Sequence, residues 1–266
     1  MTAAQDSHAG RPLLALDTAT PLGTVAIGRA TNVLAEVTIG VEARHAESLL
    51  PAIDFALRHA GLERSDLGGV IVGGGPGSFT GVRIAGATAK ALVSALALPM
   101  YAWSSLMMLA AGTGESGPVC ALFDARRGEV YAACYQFALG EDGQVHIRTL
   151  FEPAGLHVDR VIETLRQFDP LYVGEGALLH GHRIDAAGGR LGHAHLAVPR
   201  ASALLWLFDS GETHGRVADP ARWTPEYLRS PGVRFPGDAH QPLLETGNQQ
   251  FLRTEPEAPG EPAAQR

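Results

Sequence analysis

Apolar residues in the first part of the chain form short runs between turn residues, with one longer stretch at helical spacing. The runs predict strands at Leu13–Leu16, Thr24–Ile27, Val33–Ile39 and Val70–Val72. The first three follow one another directly and predict an antiparallel meander. The helical stretch spans Ala46–Ala60, and Gly61 supplies its C-terminal stop. An alanine-rich helix is predicted from Val82 to Ala97, so the element order is β-β-β-α-β-α.

The second part of the chain also mixes strands and helices. Strands are predicted at Val119–Phe123, Val130–Tyr135, Val145–Phe151 and Leu171–Val173, and helices at Val158–Phe168 and Ser202–Phe208, the last with Ser202 as its N-cap. We divide the chain into a first lobe, residues 12–102, and a second lobe, residues 103–229. Residues 1–11 are polar, and residues 230–266 are proline-rich with few apolar positions, so both ends are predicted to be disordered.

A glycine-rich turn separates the strand at Val70–Val72 from the alanine-rich helix. Ser78 or Thr80 can cap this helix, and free N–H groups at a helix start favour an anion. A dinucleotide-binding turn needs an acidic residue about 20 positions later, but no Asp or Glu occurs between Asp66 and Glu115. The turn also lacks the Gly-Lys of a P-loop and the G-x-S-x-G of a nucleophile elbow. A purely structural turn is the alternative to an anion site.

Composition and charge narrow the class of protein. The net charge of −7 argues against a free-standing nucleic-acid binder, although it is compatible with a local basic patch. Cys120 and Cys134 lie in predicted buried strands without zinc-binding spacing, which fits a reduced cytoplasmic setting. The start of the chain lacks the apolar core of a signal peptide. The longest apolar run, Ala91–Trp103, is broken by Pro99 and is too short for a membrane span.

Five ordered sequence blocks carry a family resemblance. They are Leu14–Thr20, His45–Pro51, Gly75–Ile84, Asp124–Tyr131 and Pro225–Arg229. A β-β-β-α-β-α lobe opening on a strand that ends in Asp-Thr resembles the actin, Hsp70 and sugar-kinase superfamily. Within it, the five blocks resemble the TsaB (YeaZ) family over residues 12–230. The implied fold is α/β and two-lobed, with mixed sheets flanked by helices.

The resemblance implies a non-catalytic subunit of the bacterial machinery that installs threonylcarbamoyladenosine in tRNA. Its implied partners are the related catalytic subunit TsaD, the ATPase TsaE and tRNA, and the isolated chain is either a monomer or a homodimer. TsaD carries two metal-binding histidines where this chain has Ser105 and Leu109. No metal ligand, catalytic residue or intrinsic cofactor is therefore expected, and ATP or ADP at the partner interface is left open. The alternative is a peptidase-like or kinase-like enzyme of the same superfamily.

The end of the first strand is a candidate nucleotide or anion site. Asp17 and Thr18 occupy the position where kinase-like relatives contact metal-bound phosphate, and Gly77 and Ser78 begin the helix that would face it. Ala19 replaces the glycine that lets those relatives bring backbone close to phosphate. A turn or capping role for Asp17 is the competing interpretation.

One face of the alanine-rich helix is a candidate partner interface. Val82, Ala85, Ala89, Leu92, Val93 and Leu96 form a stripe suited to packing on the sheet. Another face carries Arg83, Gly86, Ala87 and Lys90. Because a mid-helix glycine costs about 1 kcal/mol relative to alanine, Gly86 predicts close approach of a second helix. We expect Gly86→Leu to leave the isolated chain folded and to abolish association.

A pair of adjacent arginines is the candidate tRNA contact. Arg126 and Arg127 lie in a tight turn between two predicted strands, and Gly128 permits the reversal. Arginines at a hairpin tip suit tRNA phosphates within a larger complex. A solvated turn in which they pair with Asp124 or Glu129 is the alternative.

Overall fold

A computed structural model describes residues 10–30, 32–40, 44–140, 145–210 and 215–228. All of these lie in one compact unit, Met1–Ser230. The tail predicted to be disordered, residues 230–266, and most of the N-terminal segment 1–11 lie outside the described residues. No helix in the described part of the chain is both long and apolar enough to cross a membrane.

The first sheet of the described chain has five strands in the order β3-β2-β1-β4-β5. Their bounds are β1 Leu13–Asp17, β2 Leu22–Arg29, β3 Asn32–Gly40, β4 Gly69–Gly73 and β5 Met100–Trp103. Strands β1, β4 and β5 are parallel, whereas β2 and β3 extend the sheet antiparallel, which confirms the predicted meander. The apolar runs of β1 and β4 are buried throughout, as expected for strands covered on both faces.

The second sheet, also of five described strands, has the order β10-β9-β6-β7-β8. Its strands are β6 Pro118–Asp124, β7 Glu129–Leu139, β8 Val145–His157, β9 Leu171–Val173 and β10 Arg190–Leu191. Read from β8, this is the order of the first sheet again, with β6 in the place of β1 and β9 in the place of β4. Strand β6 is antiparallel to β7 and parallel to β9, just as β1 is antiparallel to β2 and parallel to β4.

Helices cover both sheets. They are α1 His45–Ala60, α2 Phe79–Leu96, α3 Ser105–Ala111, α4 Val158–Leu165, α5 Glu175–Leu179, α6 Gly181–Ala186 and α7 Ser202–Asp209. Alternate residues of a strand face opposite sides. Leu14 and Leu16 of β1 accordingly pack with α1 and α2 in one cluster, whereas Leu13 and Ala15 join α3, α7 and the inner face of the second sheet in another. Helices α3 and α7 thus lie between the two sheets.

The fold class predicted from the sequence is confirmed: two mixed sheets flanked by helices in an α/β fold. Gly61 adopts the left-handed conformation expected of a helix stop. The predicted N-cap of the last helix is wrong, because Ala201 occupies that position and Ser202 donates instead to the Glu36 carboxylate through its N–H and Oγ. Helix α7, from the predicted second lobe, packs on β1, β2 and β4 of the first sheet.

Candidate functional site

The glycine-rich turn connects β4 to α2 as a closely packed backbone joint. Of the two predicted caps, Ser78 is the N-cap of α2, and its Oγ accepts a hydrogen bond from Gly81 N at 3.3 Å. The turn lies on the residues that follow β1, since Ser78 N donates to Ala19 O at 2.7 Å and Thr18 Oγ1 donates to Gly81 O at 2.7 Å. A Cβ on Gly77 would lie 2.3 Å from Ala19 O, and one on Gly81 would lie 1.9 Å from Thr18 O. These glycines therefore serve contact between two backbone segments.

Asp17, at the end of β1, is fully buried and hydrogen bonded on both carboxylate oxygens. Oδ1 accepts from Ala19 N at 2.8 Å, and Oδ2 accepts from Ser105 Oγ at 2.5 Å. Gly73 leaves room for this carboxylate, because a Cβ there would overlap Oδ2. Burial raises the pKa of Asp17 against the opposing effects of these hydrogen bonds and of His45.

The predicted anion site consists of Asp17, Thr18, Gly77 and Ser78. Asp17 and Thr18 are buried, and their hydrogen bonds go to neighbouring protein groups. The contact of Gly77 with Ala19 fills the space between the two turns. Asp17, Thr18 and Gly77 therefore form a closed joint with the residues that follow β1, which supports the turn role considered for Asp17. Ser78 is exposed at the start of α2, and an anion site there stays a prediction.

The positions compared with the TsaD histidines both face the protein interior. Ser105 Oγ donates to Asp17 and accepts from Gly75 N at 3.0 Å, so it joins α3 to the ends of β1 and β4. Leu109 is buried in the cluster between the sheets. Within the described residues, no group of three or more His, Cys, Asp or Glu side chains is arranged to hold a metal ion. Local sequence gave no sign of the Ser105–Asp17 hydrogen bond, which joins residues far apart in the chain.

His45 begins α1 and is buried, with 6% of its surface exposed. Its Nε2 lies 2.9 Å from Thr20 O, and because a carbonyl can only accept, Nε2 carries the proton. Burial lowers the pKa of His45, which favours the neutral imidazole in this hydrogen bond. Nδ1 is buried without a hydrogen-bond partner in the described structure.

The small-residue face of α2 meets a segment of this same chain. Residues 215–228, here called the strap, run from β5 across α2 to the glycine-rich turn. At its start Val217 N donates to Met100 O at 3.0 Å, and near its end Glu226 N donates to Gly74 O at 2.8 Å. A Cβ on Gly86 would lie 3.1 Å from a ring carbon of Trp223. Lys90 Nζ donates to Ala221 O at 3.0 Å.

These contacts correct the interpretation of Gly86. The glycine does admit a close neighbour, but that neighbour is the strap and not a second helix. Gly86→Leu is consequently expected to displace Trp223 and to lower the stability of the isolated chain. Arg83 and Ala87 remain exposed, and the Arg83 guanidinium lies 4.8 Å from the centre of the Phe79 ring.

The predicted arginine turn is the tip of the β6–β7 hairpin. Arg126, Arg127 and Gly128 all have positive φ, at 66°, 57° and 80°, and both arginines are exposed. Asp124 Oδ1 accepts from Arg126 N at 2.7 Å, while Glu129 N donates to Arg126 O at 3.1 Å. The carboxylate of Asp124 thus closes a side-chain turn that holds the start of the tip.

Two ionisable residues that sequence reasoning missed lie beside this hairpin. Burial and the nearby Asp124 carboxylate raise the pKa of Glu175 to about 7, against a backbone hydrogen bond from Asp124 and the attraction of Arg126. His180 is buried, and its Nε2 has no hydrogen-bond partner in the described structure. Burial and Arg183 lower the pKa of His180, whereas Asp124 raises it. No local motif marks either residue, because topology brings them to Asp124.

Known proteins similar to this chain indicate its family. A family model described as TsaD: tRNA N6-adenosine threonylcarbamoyltransferase matches residues 32–167. The chain is 33% identical over 226 residues to the tRNA threonylcarbamoyladenosine biosynthesis protein TsaB of Bacillus subtilis, covering 82% of this chain and 93% of that protein. It is 39% identical over 127 residues to TsaB of Escherichia coli, 47% of this chain and 54% of that protein. YeaZ from Pseudomonas aeruginosa superposes with a TM-score of 0.67 at 30% identity, covering 82% of this chain and 100% of that chain.

Proposed function

We propose a function from one premise: the chain belongs to the TsaB family. It acts in the biosynthesis of threonylcarbamoyladenosine in tRNA, as a non-catalytic subunit that associates with a TsaD-like catalytic subunit. The observation that carries the non-catalytic role is the closed joint at the end of β1. There Asp17 accepts hydrogen bonds from Ala19 N and Ser105 Oγ, and Thr18 Oγ1 donates to Gly81 O, so the groups that a kinase-like relative would present to phosphate are already bonded within the chain.

The residues opposite the TsaD histidines support the same role. A hydroxyl and an alkyl group replace two imidazoles at Ser105 and Leu109, and neither is a typical ligand for a transition metal. Ser105 is instead engaged in the joint, where its hydroxyl contacts Asp17 and Gly75. The closed joint argues against the kinase-like alternative, and no specific geometry among the described residues favours the peptidase-like one.

The partner surface is proposed to lie on α2, at its exposed residues Arg83 and Ala87. Arg83, the fifth residue of the helix, is exposed, with its guanidinium 4.8 Å from the centre of the Phe79 ring, so an acidic group on the partner would complement its charge. The strap extends this surface, since the Tyr227 ring lies 5.3 Å from the Phe79 ring, tilted by 47°, and both rings are partly exposed. Gly86 and Lys90 support the surface from within by holding the strap.

Further partners follow from the same proposal. The exposed Arg126–Arg127 tip is the proposed contact to tRNA phosphates, within a complex that also includes a TsaE-like ATPase. We place the protein in the cytoplasm, where tRNA is modified. Binding of ATP or ADP would then occur at the partner interface rather than at the closed joint of this chain.

Reconstitution tests the proposal directly. Purified TsaD-like and TsaE-like subunits, unmodified tRNA, ATP and a supply of threonylcarbamoyl-adenylate are combined with and without this chain. Formation of the modified nucleoside only when the chain is present is the expected result, and full modification without it would contradict a required role. The isolated chain is expected to hydrolyse no ATP, which separates a scaffold from a kinase-like enzyme.

Two matched variants test the partner surface. Ala87→Arg is expected to abolish association in titration calorimetry, because its long side chain would hold the partner away from the exposed face of α2. Ala187→Arg, an equally exposed alanine after α6, is the control and is expected to bind normally. Unchanged affinity of Ala87→Arg would show that this face is not the interface.

A further inference from the structure

The β6–β7 hairpin is held in shape by a carboxylate at its base. Asp124 Oδ1 accepts the Arg126 N–H, and this bond fixes the first of three consecutive residues with positive φ. Residues other than glycine rarely adopt this conformation, so two arginines in succession need local support. Val158 N donates to Gly128 O at 3.2 Å and ties the far side of the tip to the start of α4. The direction of both arginines therefore depends on Asp124.

Glu175 is placed against this base by close backbone packing. The first turn of α5 lies directly on the end of β6, since a Cβ on Gly174 would be 2.3 Å from Leu122 O and one on Gly176 would be 3.0 Å from the carbonyl carbon of Phe123. Glu175, between these two glycines, consequently lies beside Asp124 and within the electrostatic reach of Arg126. A second carboxyl group thus lies next to the one that shapes the hairpin.

Other charged groups from the remaining elements lie around His180, which itself interacts with Asp124. His180, at the junction of α5 and α6, interacts with Asp124, and Arg183, His182 and His157 lie around that imidazole. Arg183 is itself paired with Asp159 of α4 at 2.7 Å. These groups lie around His180, whereas the groups that act directly on Glu175 are Asp124 and Arg126.

We propose that Glu175 is a positioning residue for the hairpin, so that the Arg126–Arg127 tip binds RNA phosphates more tightly when the Glu175 carboxyl is protonated than when it is ionised. This inference rests on the proposed tRNA contact. Ionised Glu175 attracts Arg126, repels Asp124 and competes with phosphate for the guanidinium. Protonated Glu175 removes both effects, leaving Asp124 to hold the turn and Arg126 to meet an anion.

The Glu175 carboxyl group titrates near neutral pH. Burial and the charge of Asp124 raise the pKa of Glu175 to about 7, so the carboxyl changes charge between pH 6 and pH 8. Affinity for RNA is expected to fall as pH rises through this range. Because ionisation of Glu175 adds one negative charge near a phosphate contact, we expect the affinity for RNA to decrease about three- to tenfold over this range.

The first test follows the hairpin itself without RNA. The amide resonances of Arg126 and Gly128 are recorded by NMR from pH 5.5 to pH 8.5 in the full chain. An inflection near pH 7 is expected in the natural protein and in Glu163→Gln, an exposed glutamate of α4 that serves as the matched control. It is expected to vanish in Glu175→Gln. An inflection that persists in Glu175→Gln and vanishes in His180→Asn would assign the titration to the imidazole and overturn the proposal.

The second test measures binding of a synthetic anticodon stem–loop RNA at pH 6 and pH 8 and constant ionic strength. The natural protein is expected to bind more tightly at pH 6, and Glu175→Gln to bind equally at both. A Glu175→Gln variant that keeps the natural pH dependence would overturn this inference alone. If Arg126→Ala with Arg127→Ala binds like the natural protein, the proposed RNA contact fails and this inference with it. Thermal unfolding of each variant confirms that it is folded.

Discussion

The ends of β1 and β6 occupy the same place in two sheets of the same strand order, and they use the same local bond. Asp17 Oδ1 accepts from the N–H two residues later at 2.8 Å, and Asp124 Oδ1 does the same at 2.7 Å. Beyond that bond they differ. Asp17 is sealed by Ser105 and the glycine-rich turn, whereas Asp124 supports an exposed pair of arginines.

The residues around the end of the neighbouring parallel strand account for much of this difference. In the first sheet Gly73, at the end of β4, leaves the space that the Asp17 carboxylate fills. In the second sheet Gly174 follows β9, and the next residue, Glu175, brings a second carboxyl group to Asp124. The turn after β1 is therefore part of a buried structural joint, whereas the turn after β6 is a charged surface feature. Four substitutions examine this contrast, in decreasing order of expected effect.

The close contact of the glycine-rich turn with Thr18 requires glycine at position 81. Gly81→Ala is therefore expected to have the largest effect on the stability of the protein. Its Cβ would lie 1.9 Å from the Thr18 carbonyl oxygen, a backbone atom that cannot move without opening the joint. We expect a loss of about 3 kcal/mol or more in the free energy of unfolding, measured with urea. Gly117→Ala, with open space around it, is the control. A loss under about 1 kcal/mol would mean that the joint is loosely packed.

Glu175→Gln is expected to stabilise the protein, and only at higher pH. The pKa of Glu175 is raised in the folded state to about 7 from 4.5, so folding penalises the ionised carboxylate. The stability contributed by the neutral form is complete below pH 4.5 and is lost as pH rises through about 7. The gain at pH 8 is up to about 3 kcal/mol, with little change at pH 5. Equal effects at both pH values in thermal unfolding would contradict the raised pKa.

Removing the hydrogen bond from Ser105 to Asp17 tests the other carboxyl group. Ser105→Ala removes the hydroxyl that donates to Asp17 Oδ2 and accepts from Gly75 N. Two buried polar groups then lose these hydrogen-bond partners. We expect a loss of about 2 kcal/mol at neutral pH. Ser210→Ala, which removes the hydrogen bond from its Oγ to Leu207 O at the end of α7, is the control and should cost about 1 kcal/mol. Equal losses for the two serines would show that the contact with Asp17 adds little.

Local pattern was sufficient to predict most of the first sheet and its covering helices, because apolar periodicity and a glycine stop are properties of adjacent residues. It failed where contacts join distant parts of the chain. The glycine at position 86 signalled close approach, but nothing nearby identified Trp223 as the neighbour. Glu175 and Ser105 are ordinary residues in sequence, and only the strand order brings them to Asp124 and Asp17. Short elements such as α3 and β5 left too few residues for a periodic signal.

Asp124→Asn is expected to have the smallest effect on stability and isolates charge from shape. Asparagine forms the same side-chain turn, so the bond to the Arg126 N–H should persist and the free energy of unfolding should change by less than about 1 kcal/mol. The substitution removes the negative charge that helps raise the pKa of Glu175, which is expected to fall below about 7. Carboxyl ¹³C shifts of Glu175 measured against pH check this directly. An unchanged midpoint would show that burial alone sets the pKa, and that Glu175 and Asp124 do not act on each other.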